Sequence, residues 1–138
     1  MRRSHLMDPA VRVDHVALWV LDLERMREFY VRRFGGRSGP LYHNQRTGFR
    51  SYFVSFATGP RLELMSDGAA ARDPAPDDAS GYAHIALSAG SPQEVDTLVR
   101  DLAAAGVAVA SPPRTTGDGY YEAVILDPEG NRIEITAG

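Results

Sequence analysis

The chain has no cysteine among its 138 residues, which excludes both a disulfide framework and a thiolate zinc site. Any metal ion must therefore be held by nitrogen and oxygen, and we expect a cytoplasmic protein. No apolar run approaches the roughly 20 residues of a membrane-spanning helix. The net charge of −3 shows no basic excess that would attract nucleic-acid phosphates. We accordingly expect no nucleic-acid partner and no membrane partner.

The chain contains one pattern twice. Segments 13–19 and 82–88 each place a histidine, His15 or His84, early in a short apolar run. Further on, Glu63 and Glu134 each lie between two aliphatic residues, in Leu-Glu-Leu and Ile-Glu-Ile. The two histidines are 69 positions apart and the two glutamates 71, so the sequence indicates two copies of one unit.

Periodicity predicts the same order of elements, β-α-β-β-β, in both copies. Asp22 is a candidate helix cap before apolar residues at three-to-four spacing, and Gly35-Gly36 ends that helix. Ser91 begins a capping box with proline at the first helical position, and Gly106 ends the second helix. The predicted strands are 11–20, about 40–43, 49–57 and 61–66 in the first copy, and 82–88, 107–110, 120–126 and 132–136 in the second.

The predicted organisation is a disordered N-terminal tail at 1–10, a first module at 11–68, a linker at 69–80 and a second module at 81–138. A module of this length has one sheet face that its single helix leaves uncovered, so two modules should combine to bury more surface. We expect an α+β fold in which two βαβββ modules form a cup-shaped, incompletely closed, eight-stranded mixed sheet with the helices outside.

His15, Glu63, His84 and Glu134 are the candidate metal ligands. Strand alternation turns each of them away from the aliphatic face of its strand, so all four could point into the cup. Two carboxylates in a poorly solvated cavity repel one another, and a divalent cation removes that penalty. These nitrogen and oxygen donors suit Zn, Ni, Co, Fe or Mn, and the ligand types do not choose among them.

The repeat with these four residues resembles the vicinal oxygen chelate superfamily, the group of glyoxalases, bleomycin-resistance proteins and extradiol dioxygenases. Tyr82–Leu87 and Asp127–Glu134 are similar to the second-module signatures of glyoxalase I. The resemblance implies one divalent metal ion per site, a small-molecule substrate and a homodimer. One difference is Ser66-Asp67-Gly68, where glyoxalase I usually has Asn-Trp-Gly, and whether glutathione takes part stays open.

The resemblance implies a glyoxalase-like lyase or isomerase that chelates neighbouring oxygens of its substrate and abstracts a carbon-bound proton through an enediolate. Glu134 would be the base, and Glu63 would ligate and handle the returning proton. Two alternatives stay open: an extradiol-type dioxygenase, and a protein that binds an antibiotic without chemistry. Aromatic residues that could line a pocket, although most are expected in the core, are Trp19, Phe49, Tyr52, Phe53, Phe56, Tyr120 and Tyr121.

Overall fold

A computed structural model describes residues 11–68, 76 and 79–138. The predicted tail at 1–10 lies outside the described residues, and so does most of the predicted linker at 69–80. The chain divides into two units, Met1–Ala69 and Ala70–Gly138, which contain the first and second module.

The two modules have the same order of elements, with one additional short strand in the first. The first contains β1 (His15–Trp19), α1 (Leu23–Phe34), β2 (Arg37–Ser38), β3 (Tyr42–His43), β4 (Arg50–Ser55) and β5 (Arg61–Ser66). The second contains β6 (Ile85–Ser88), α2 (Pro92–Ala104), β7 (Val109–Thr115), β8 (Tyr121–Leu126) and β9 (Arg132–Thr136).

Local signals in the sequence explain where both helices begin and end. The Asp22 carboxylate accepts a hydrogen bond from the backbone N–H of Arg25, and Gly35 ends α1 in the left-handed conformation that glycine adopts without strain. In α2, the Ser91 hydroxyl accepts from the N–H of Glu94, and Pro92 occupies the first turn, where its missing N–H costs nothing. Both predicted helices are confirmed; α1 ends before Gly35 as predicted, and α2 ends at Ala104, two residues before Gly106.

The first module is a five-stranded sheet in the order β1-β5-β4-β2, with β3 also paired to β4. Strand β1 runs parallel to β5, and the other pairs are antiparallel. Helix α1 covers one face, where Val54, Leu62 and Leu64 are buried beneath Met26 and Tyr30. Alternation along β5 turns Arg61, Glu63 and Met65 to the opposite face.

The second module is a four-stranded sheet in the order β6-β9-β8-β7, with β6 parallel to β9. Helix α2 packs on the face that carries Ile125, Ile133 and Ile135, all fully buried. The opposite face carries Glu134 on β9, because that residue lies between two buried isoleucines. Each module therefore has one apolar face under its helix and one face bearing a predicted ligand.

The α+β class with two modules and an unclosed sheet is confirmed, but the strands differ from the single eight-stranded sheet expected. The described residues form two sheets, of five and four strands. The ninth strand is β2, which precedes the strand predicted around 40–43 and was not predicted; of that predicted strand only Tyr42–His43 pairs, as β3, and Pro40 has no N–H to give to a ladder. Within the described residues, no helix is both long and apolar enough to cross a membrane.

Candidate functional site

The strand register is equivalent in the two modules. Ala17 on β1 lies opposite Glu63 on β5, and Ala86 on β6 lies opposite Glu134 on β9. Each histidine precedes its alanine by two residues, and alternation puts the histidine on the glutamate's face. The histidine and the glutamate therefore occupy equivalent positions in the sheets of the two modules.

In the first module, His15 and Glu63 lie together on the face away from α1. The Nε2 atom of His15 is 3.6 Å from Oε1 of Glu63. The glutamate side chain is 15% exposed and the histidine 40%, so the carboxylate lies deeper than the imidazole. The structure therefore brings together the two ligands predicted in this module.

The second module repeats the arrangement with a shorter contact. The Nε2 atom of His84 is 3.0 Å from Oε2 of Glu134. The exposed fractions, 39% for the histidine and 19% for the glutamate, nearly equal those of the first pair. Both predicted pairs are formed, each within its own module.

The donor separations suit neighbouring ligands of one metal ion. Bonds of about 2.0–2.2 Å at angles between octahedral and tetrahedral values place adjacent donors about 2.8–3.6 Å apart. The separation of 3.0 Å falls within this range and that of 3.6 Å lies at its upper limit. Among residues 11–68, 76 and 79–138, however, no group of three or more His, Asp or Glu side chains is arranged to hold a metal ion.

Glu122 is a site residue that was not predicted from the sequence. On β8, Val124 lies opposite Glu134, and alternation puts Glu122 on the same face two residues away. A hydrogen bond shared with the Glu134 carboxyl group raises the pKa of Glu122, and desolvation and the charge of Glu134 raise it further. Alternation along the predicted strand 120–126 was the available signal.

Asp14 is a second residue that was not predicted, and it contacts the other nitrogen of His15. Its Oδ2 atom is 2.8 Å from Nδ1 of His15 and accepts a hydrogen bond from Nη2 of Arg61, also at 2.8 Å. The hydrogen bond with His15, followed by that with Arg61, lowers the pKa of the Asp14 carboxyl group. The Arg61 guanidinium lies over the ring of Phe53, 4.2 Å from its centroid.

A family comparison adds to this geometry. Residues 12–135 match the model of the Glyoxalase/Bleomycin resistance protein/Dioxygenase superfamily. The chain belongs to this superfamily. Membership confirms the resemblance seen in the sequence, and since the superfamily's name covers three kinds of protein, the activity must be argued from the side chains.

Solved structures share the superfamily fold with this chain. Glyoxalase I of Leishmania major, a trypanothione-dependent enzyme, is 23% identical with a TM-score of 0.71, over 92% of this chain and 86% of that one. A glyoxylase/bleomycin resistance protein/dioxygenase domain from Frankia sp. EAN1pec is 20% identical with a TM-score of 0.79, over 94% and 99%. Glyoxalase I of Zea mays is 20% identical with a TM-score of 0.74, over 92% of this chain and 44% of that one. No curated protein sequence matches.

The predicted pocket aromatics of this superfamily member divide between the core and the surface. Tyr52 is buried towards α1, where its hydroxyl donates to Glu24 Oε1 at 2.6 Å. Trp19 is 46% exposed and makes an edge contact with Phe49, whose ring also contacts Tyr42. Trp19 follows His15 and Ala17 in the alternation of β1, so the indole shares the face of the first ligand pair.

Proposed function

We propose that His15, Glu63, His84 and Glu134 ligate one divalent cation and that the protein is a glyoxalase-like lyase or isomerase. The support comes from two equivalent histidine-glutamate pairs whose donors are separated as neighbouring ligands would be. The cation is Zn, Ni, Co, Fe or Mn. The proposal includes a complete site either within one chain or shared in a homodimer.

The charges of the four side chains fit a divalent cation. Two neutral imidazoles and two carboxylates carry a formal charge of −2, which a 2+ ion balances. Glu63 and Glu134 are mostly withdrawn from water, so neither charge is fully screened by solvent. Four protein ligands also leave up to two positions of an octahedron for a substrate that offers two neighbouring oxygens.

The substrate class follows from what the side chains can do. When bound, the cation supplies a Lewis acid that polarises the substrate oxygens. Glu134 directs Oε2 at His84, and we propose that its carboxylate takes a proton from the carbon next to a carbonyl group. Glu63, the equivalent carboxylate of the first module, would return a proton to the neighbouring carbon. The proposed substrate is a small hydroxy carbonyl compound such as a hemithioacetal.

The exposed aromatic group favours a second candidate, a protein that binds an apolar or ring-bearing antibiotic without chemistry. Trp19, Phe49 and Tyr42 form a chain of ring contacts, and both Trp19 and Tyr42 are almost half exposed. In that case ligand affinity would be independent of metal and unchanged in Glu134→Ala. An extradiol dioxygenase would instead use two histidines and one carboxylate with iron.

Metal retention is the first test of the proposal. The chelator-treated chain is reloaded with each of the five metals in turn, dialysed and measured by elemental analysis. We expect one ion per site in the wild type and in Glu28→Gln, whose carboxylate pairs with Arg32 on the surface of α1. Glu63→Gln and Glu134→Gln should lose the ion. Equal metal content in all four proteins would reject the proposed ligands.

Solvent exchange is the second test. The loaded protein is incubated with the hemithioacetal of methylglyoxal and a thiol in heavy water, and the product is examined by proton NMR. We expect deuterium at the product carbon, because a carboxylate that takes up a proton equilibrates it with solvent. Product without deuterium would indicate hydride transfer, and oxygen uptake on adding catechols to the iron-loaded chain would favour the dioxygenase.

A further inference from the structure

The two candidate histidines differ in the ring nitrogen that lies closest to a carboxylate. In His15, Nδ1 is at hydrogen-bonding distance, 2.8 Å, from Asp14, whereas Nε2 is 3.6 Å from Glu63. In His84, Nε2 is 3.0 Å from Glu134. The residue before His84 is Ala83, which has no side-chain acceptor. Two equivalent positions of the repeat thus hold their imidazoles in different ways.

The partner of His15 determines which ring nitrogen carries the proton. A carboxylate paired with an arginine can accept hydrogen bonds but has no proton to donate. Because Asp14 pairs with Arg61 at 2.8 Å, the hydrogen between Asp14 and His15 belongs to Nδ1. In the neutral ring Nε2 then keeps its lone pair, and that lone pair faces Glu63.

Asp14 is itself held from two directions. The Arg61 guanidinium donates a hydrogen bond to the Asp14 carboxylate, and the backbone N–H of Arg61 donates to the backbone carbonyl of Asp14 at 3.0 Å. The guanidinium rests on Phe53, whose ring meets the His15 ring edge-on, with centroids 5.4 Å apart. These four side chains, Asp14, His15, Phe53 and Arg61, form a closed set of contacts around the imidazole.

We propose that Asp14 is a positioning residue that holds His15 as the Nδ1–H tautomer, with Nε2 prepared for a cation before any cation binds. Among the described residues no carboxylate pairs with Nδ1 of His84, and its Nε2 lies 3.0 Å from Oε2 of Glu134, so the two modules contribute one prepared and one unprepared histidine. This inference rests on the proposed function only where it concerns metal affinity. The tautomer is a property of the metal-free chain.

The test combines a metal-free readout with a metal-binding readout. Imidazole nitrogens of the chelator-treated, ¹⁵N-labelled chain are observed by NMR at a pH where the rings are neutral, with His15→Gln used for assignment. We expect His15 as Nδ1–H and His84 as Nε2–H in the wild type. Asp14→Ala should move His15 towards Nε2–H, the form favoured in water, and leave His84 unchanged. Asp14→Asn, which keeps the shape and can still accept, should give a mixture.

The second readout is the affinity for Zn²⁺ alone, measured by competition with a chelator. Loss of a partner that orients a histidine ligand typically weakens metal binding about 10–100-fold, and we expect this range for Asp14→Ala. The matched control is Asp101→Ala, which removes the same charge from an exposed position on α2 and should bind as the wild type does.

Each failure has a separate meaning. An unchanged His15 tautomer in Asp14→Ala would overturn the positioning role. If Asp14→Ala changes the His15 tautomer but binds Zn²⁺ as tightly as Asp101→Ala does, the proposed effect of Asp14 on metal affinity would be overturned. If the wild type itself binds no Zn²⁺ or other divalent cation, the proposed function fails, and the NMR result alone decides whether Asp14 positions His15.

Discussion

Substitution of Gly36 by alanine tests how closely the core of the first module is packed around Val54 on β4. A Cβ atom at Gly36 would lie 2.5 Å from Cγ1 of Val54 and 3.2 Å from the carbonyl oxygen of Tyr30. Carbon atoms in contact prefer about 3.5–4.0 Å, so the two groups would have to separate by at least about 1 Å. Val54 is fully buried. The adjacent residue, Phe53, points to the other face of β4, where its ring contacts His15.

The expected cost follows from this overlap. Forcing an additional carbon into a well-packed core typically costs about 1–3 kcal/mol, and we expect Gly36→Ala to reduce the free energy of unfolding by that amount. Urea unfolding of the chelator-treated chain, followed by circular dichroism, measures the change without a contribution from bound metal. Because the overlap is mainly with Cγ1 of Val54, Gly36→Ala should cost at least about 1 kcal/mol less in a Val54→Ala background.

Gly117→Ala is the matched control, because its Cβ would have no neighbour within 4 Å. This substitution should change the unfolding free energy by less than about 1 kcal/mol, in either direction. The reasoning is refuted if Gly36→Ala is as stable as the wild type. It is also refuted if the cost of Gly36→Ala is the same with and without Val54.

Two further predictions concern polar contacts that fix the sheets. Tyr52→Phe removes the hydrogen bond to Glu24 and should cost about 1 kcal/mol in urea unfolding, whereas Tyr82→Phe, at a fully exposed ring, should cost nothing measurable. The Glu24 carboxylate raises the pKa of Tyr52 above its ordinary value of 10.0, so this stabilisation is present below about pH 10 and lost as the pH rises through the raised pKa. Asp127→Ala removes a buried carboxylate that accepts from two backbone N–H groups and from the Asn131 amide, and should cost about 2–3 kcal/mol.

These two predictions also have results that would contradict them. A stability difference between Tyr52→Phe and the wild type that persists unchanged at high pH would mean that the hydroxyl group is not its source. For Asp127, the control is Asp118→Ala, which removes an exposed carboxylate that accepts from the Thr116 hydroxyl. If the two aspartate variants unfold at the same urea concentration, the turn at Asp127 does not stabilise the β8–β9 pair.

The starts of both helices and the end of α1 could be predicted to the residue, because the signals for these ends act over one turn of chain. The ends of strands depend on a partner instead. The strand predicted at 11–20 pairs only from His15 to Trp19, the part that lies beside β5. Strand β7 extends to Thr115 through Pro112 and Pro113, which local propensity argues against, since an edge strand tolerates residues without an N–H.

For the candidate site, too, features set within one strand could be predicted, whereas features set by a neighbouring strand could not. Alternation within one strand was enough to put each histidine on its glutamate's face, and the register brings the two side chains together. Alternation also puts Glu122 on the face of Glu134, but its contact with that carboxyl group depends on the register of a neighbouring strand. Asp14 could not be recognised from alternation, because it contacts the second ring nitrogen of the adjacent histidine. That the four predicted ligands share one ion stays a prediction.

The parallel pairing of β1 with β5 and of β6 with β9 has a consequence for synthesis and folding. In each module the first strand brings the imidazole and the last strand brings the carboxylate, so neither pair can exist until nearly the whole module has left the ribosome and closed. Each histidine-glutamate pair therefore forms a contact between the first and last strands of its module. Loss of the last strand of a module would remove the carboxylate and, in the same step, leave the strand that carries the imidazole without its partner.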